Sequence, residues 1–134
     1  MAQQTISLSS DARERLLLTI ADTVPAERIA EIHFFPPIRQ GPVETGVAVV
    51  AAEHEVVGRE RHVVYTARYR WTRKGPDRGK WEGEVVAEAD APLVTVEAVV
   101  RGVQRRANET TEPEHVSGED ARARIMEARC RTTL

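Results

Sequence analysis

The chain lacks most of the features by which a sequence declares its chemistry. It has one cysteine, Cys130, so no internal disulfide can form and the fold does not depend on an oxidising compartment. Lys74 and Lys80 are its only lysines; the bias towards arginine reads as composition and carries no functional weight. No apolar run approaches the roughly 18 residues of a membrane span. The opening stretch MAQQTISLSSDARERL has no basic segment leading into an uninterrupted apolar core, so the expectation is a cytoplasmic, soluble protein with no membrane partner. There is no Walker loop, no paired-glycine dinucleotide turn, no G-x-S-x-G and no cysteine cluster. No cofactor is expected. The NET at Asn108 matches a glycosylation acceptor only by chance if the chain is not secreted.

What is present has the balance of one folded unit. The 134 residues are 41% hydrophobic and 30% charged, enough for one core and too few for two ordinary domains. The net charge of -2 excludes the strong basic excess of a dedicated nucleic-acid protein. Charge is unevenly placed: Val57 to Arg106 holds eleven basic and seven acidic residues, a surplus of four, so the rest of the chain carries -6.

Periodicity divides the chain into elements. Ser9 or Ser10 offers an N-cap, Asp11 sits near the positive end of the helix dipole, and Leu16, Leu17, Ile20 and Val24 recur at helical spacing until Pro25. This predicts a helix over about 10–23. Residues 28–35, RIAEIHFF, alternate and then meet Pro36 and Pro37, which cannot donate ladder hydrogen bonds. Phe34 and Phe35 point to opposite faces, so one of them meets a second layer or a partner. Residues 43–53, VETGVAVVAAE, are apolar on both faces, as a central strand would be. The polar EHEVVGRE then turns the chain. In residues 91–107, Leu93, Val96, Val100, Val103 and Ala107 predict a helix, with Asp90 as N-cap and Pro92 in the first turn. NETTEPEHVSG reads as a loop, and Ser117 with Asp120 three residues on caps a short, weakly anchored C-terminal helix.

The most informative stretch is RYRWTRKGPDRGKW, residues 68–81, with two tryptophans, a tyrosine and six basic residues. With KGPDR as the loop, Trp71 faces Trp81, Tyr69 faces Gly83 and Ala67 faces Val85. Arg70 then faces Glu82 and Arg68 faces Glu84. A slip of one residue would set Trp71 against Glu82 and mix the faces. The arginines are therefore expected to be paired within the hairpin, leaving Arg73, Lys74, Arg78 and Lys80 at the tip as a contact surface for phosphate or acidic protein.

The expected fold is α+β: a four-stranded, mainly antiparallel meander packed on one face by the N-terminal helix and the helix after the sheet. Residues 1–110 form the compact domain and 111–134 a loop and helical appendage. With both helices on one side, the two-sided apolar strand 43–53 needs further cover, which self-association would supply. The functional expectation is a non-catalytic interaction or assembly module, a homodimer or bound to another protein, with the hairpin tip and the proline corner as contact surfaces. A small-molecule binder or enzyme would use His33, Arg39 and Tyr65 in a pocket between sheet and helices. A nucleic-acid binder would use the hairpin tip, with steep salt dependence. For metal, His54 with Glu53 and Glu55, His62, and His115 with Glu112 and Glu114 show no established zinc spacing and read as solvated polar residues. Cys130, between two arginines, reads as an incidental thiol.

Overall fold

The computed structural model describes residues 3–56, 59–88, 96–106 and 112–132, with backbone alone for 54–56, 59–62, 105–106 and 132. A two-residue strand, β1 (Gln4–Thr5), precedes helix α1 (Ser10–Thr23). Ser9 is the cap, its hydroxyl accepting the Ala12 N–H at 3.1 Å. Val24 leaves the helix in an extended conformation, and Pro25 opens a 3-10 turn over Ala26–Arg28. The remaining strands are β2 (Ile29–Phe34), β3 (Ile38–Gln40), β4 (Val43–Val56), β5 (Arg59–Thr72), β6 (Trp81–Ala87) and β7 (Glu114–Ser117). Helix α2 (Val96–Arg106) follows β6, and α3 (Gly118–Thr132) follows β7. The expected N-cap Asp90 and first-turn Pro92 lie outside the described residues, as do Leu93 and Ala107. The polar EHEVVGRE contributes mostly to strand, because β4 runs on to Val56 and β5 begins at Arg59.

Among the described residues, one antiparallel sheet of seven strands replaces the expected four. Its axis is β4, which pairs with β5 along its whole length, from Val43 opposite Thr72 to Val56 opposite Arg59. The other edge of β4 is shared between β3, with Ile38 opposite Thr45, and β2, with Phe34 opposite Ala48. Pro36 and Pro37 fall between these two strands, where the ladder has to break. Beyond them lie β1 against β3, β7 against β2, and β6 against β5. The three additional strands have two, three and four residues, too short to show an alternation.

Alternation along the long strands gives the sheet two apolar faces. On one, Ile32, Phe34, Ala48, Val50, Ala67 and Tyr69 pack with Leu16, Leu17 and Ile20 of α1. Ile125 of α3 is fully buried in the same core, flanked by Ala121 and Ala128. The last helix is therefore 15 residues long and anchored, which corrects the expectation of a short, weakly held appendage. Gly118 permits its close approach: a Cβ there would stand 2.3 Å from the Ile29 carbonyl oxygen. Arg122 donates to that same carbonyl at 2.9 Å.

On the opposite face, Phe35, Val49 and Val64 meet Val103 of α2, with Val96, Val99 and Val100 partly buried beside them. The helices thus lie on both faces, not one. Phe34 and Phe35 do point apart, and each finds a core of its own. The second face of β4 is covered by α2, so burying it does not require a second copy of the chain.

Candidate functional site

The hairpin has the register that its apolar pattern selects. Trp71 is opposite Trp81, Tyr69 opposite Gly83, Arg70 opposite Glu82 and Arg68 opposite Glu84. Trp81 stacks on Tyr69 with ring centroids 4.5 Å apart and meets Trp71 edge-on at 5.6 Å. At the tip, Gly75 and Gly79 adopt φ of 89° and 91°, a region open to glycine. Two of the four tip cations are engaged internally: Arg73 lies 3.8 Å over the Trp71 ring, and Lys80 Nζ is 3.2 Å from Glu82 Oε1. Lys74 and Arg78 are exposed and form no ion pair among the described residues.

The three residues proposed to share a pocket are held apart. Tyr65 packs at the rim of the α1 core. Arg39 lies on β3 opposite Glu44, with Nη2 3.9 Å from Glu44 Oε1. Glu44 is 2% exposed and accepts a hydrogen bond from the Tyr69 hydroxyl at 2.7 Å. Burial, then the hydrogen bond and charge of Glu44, push the Tyr69 phenol well above its ordinary range, with Arg73 opposing. Gly46 makes room for the ring, since a Cβ there would stand 2.2 Å from Tyr69 Cε1.

His33 lies on the other face of the sheet, opposite Val49 of β4 on one side and His115 of β7 on the other. Glu31, two residues earlier on β2, projects to the same side. Its Oε2 is 2.9 Å from His115 Nε2 and its Oε1 is 3.5 Å from His33 Nε2. The imidazoles meet edge to face with centroids 5.1 Å apart. Burial raises the Glu31 carboxyl, but the His115 hydrogen bond and the nearness of both imidazoles outweigh it and hold the group below its ordinary value. Nε2 of His33 is buried without a hydrogen-bond partner. One ligand atom from each of the three residues lies within 4.8 Å of the others. Sequence reading set His33 apart from His115 and passed over Glu31, because 114–117 read as loop and the β2–β7 pairing that joins them spans 84 positions.

A third feature is the outer edge of β6, which among the described residues pairs only with β5. Glu88 N–H donates to the Val64 carbonyl and Thr72 N–H to the Lys80 carbonyl, so the even-numbered residues of β6 are those bonded to β5. In an antiparallel pair, Trp81, Gly83, Val85 and Ala87 then direct their N–H and C=O groups outward. Beside this edge runs a shallow groove lined by Arg68, Arg70, Glu82 and Glu84. Val86, on the same face, is 53% exposed. Among the described residues, no helix is long and apolar enough to cross a membrane. No protein-family model, curated protein or solved structure matches the chain.

Proposed function

We propose that this chain is a non-catalytic protein-interaction module that takes an extended segment of another protein onto the free edge of β6 as an added strand. The observation that carries this reading is the open edge itself, seven residues long with the half-exposed Val86 beside it. Such an edge is a template for pairing unless it is blunted. Here the blunting is selective. Two copies of β6 paired about Val85 would place Glu82 against Glu88, and paired about Glu84 would place Glu84 against itself. Like charges directly opposite are destabilising. The acids thus disfavour a second copy and favour a partner segment with basic and apolar residues at alternate positions. Lys74 and Arg78 at the tip extend the contact surface towards acidic groups beyond the strand. A fold that needs no disulfide suits a cytoplasmic setting for the encounter.

The test is selection of short peptides from a random display library against the untagged chain and against Ala87→Pro. Proline at 87 removes an outward N–H while sparing the bonds to β5. The expected result is a set of basic, β-branched peptides whose binding falls at least tenfold on Ala87→Pro, with an unchanged thermal midpoint. No enrichment, or equal binding by the variant, would overturn the reading. Native mass spectrometry of the free chain should show the 15.0 kDa monomer.

A further inference from the structure

We infer that Glu31, His33 and His115 form a binding site for one divalent transition-metal ion, held on the sheet face that carries α2 and open to solvent. The argument starts from donor type. Two neutral imidazole nitrogens and one carboxylate oxygen are the ligands that zinc and its neighbours accept, whereas magnesium and calcium prefer all-oxygen sets. The spacing fits as well. Ligands at about 2.1 Å from a tetrahedral ion stand about 3.4 Å from one another. Glu31 already stands 2.9 Å from His115 and 3.5 Å from His33. All three ligand atoms fall within 4.8 Å, so closing round an ion needs only small side-chain rotations.

The backbone brings these groups together without relying on loops. Glu31 and His33 are two apart on one strand and share a face, while His115 sits directly across the ladder from His33. The Pro36–Pro37 corner ends β2 just beyond them, and α3, anchored through Ile125, holds β7 in place. A hydrogen-bonded His–Glu–His network alone accounts for His115 and Glu31, but it leaves His33 Nε2 buried and without a hydrogen bond. A bound cation would use that nitrogen. Three protein ligands leave at least one coordination position for water or for a donor from a partner, as in sites that are not purely structural.

The experiment is titration of the metal-stripped, untagged chain with zinc chloride, followed by calorimetry and by the imidazole resonances of His33 and His115. One ion per chain is expected, shifting both sets of resonances, with no response to magnesium. His115→Ala, at a position 54% exposed, and Glu31→Gln should each weaken binding at least tenfold while the far-ultraviolet dichroism of the metal-free proteins is unchanged. Cobalt(II) in place of zinc should give visible absorption bands that both variants lose. The inference is overturned if the wild-type chain takes up no zinc, or if the variants bind it as the wild type does, which would place uptake at other histidines.

Discussion

Three influences hold the proton on Tyr69, namely its burial, the hydrogen bond to the Glu44 carboxylate at 2.7 Å and the charge that carboxylate carries, with Arg73 opposing them. The folded-state pKa is raised above the ordinary phenol value of about 10, so the interaction is fully present below that pH and is lost as pH climbs through the folded value. Stability should therefore fall above about pH 10, and Tyr69→Phe should flatten that fall. At neutral pH the same variant should cost about 1–3 kcal/mol, because it leaves a buried carboxylate short of a donor. Denaturant midpoints from pH 7 to 11 check both parts; parallel curves for the two proteins would show that Glu44 and Tyr69 are not coupled. At this scale the sequence was legible where partners are close along the chain. Trp71 and Trp81, or Arg70 and Glu82, are matched by alternation across a short turn. Glu44 in VETGVAVV was not, because its partner is 25 residues away and Gly46, which admits the ring, looks like any other glycine. Glu31 escaped notice for the same reason, since His115 is 84 residues away.

Among the elements, α3 departs furthest from expectation. Its buried stripe is Ala121, Ile125 and Ala128, and alanine adds little to an apolar pattern although it lets a helix approach closely. The large apolar residue beside them in sequence, Met126, is 69% exposed, so the signal in RIMEAR was half misleading. Ile125→Ala should lower stability by about 2–5 kcal/mol, as for other core isoleucines. Met126→Ala should change it by less than about 0.5 kcal/mol. Urea unfolding of the two variants decides the matter, and equal, small effects would restore the picture of a loosely held helix. The cap was readable: Ser117 Oγ accepts the Asp120 N–H at 3.2 Å, as the spacing of serine and acid implied. The strand just before it was not, because EHVS contains one apolar residue and sits among turn formers.

For the whole molecule, helices on both faces distinguish this architecture from a sheet with one open side. The apolar character of both sides of residues 43–53 correctly required a second cover, and α2 provides it with a stripe that was itself legible as helical. What could not be read was the side on which it packs, because a stripe records only that a face is buried. The described contacts also bear on chain length. A chain stopped after residue 110 lacks β7 and α3, uncovering the edge of β2 and the part of the α1 core that holds Ile125. It should lose its near-ultraviolet dichroism and bind a hydrophobic dye; cooperative unfolding of that fragment at a similar midpoint would show that residues up to 110 stand alone.

The pairing of β2 with β7 also sets an order in time. Phe34 is opposite Glu114 in the finished sheet, so β2 must wait for a strand that leaves the ribosome 80 residues later. At about 5–20 residues per second, that is an interval of roughly 4–16 s. During it, Ile32 and Phe34 lie beside an unsatisfied strand edge while the β4–β5 and β5–β6 ladders, joined by short connections, can already form. The β7-facing edge of β2 is therefore exposed to mispairing throughout that interval of synthesis.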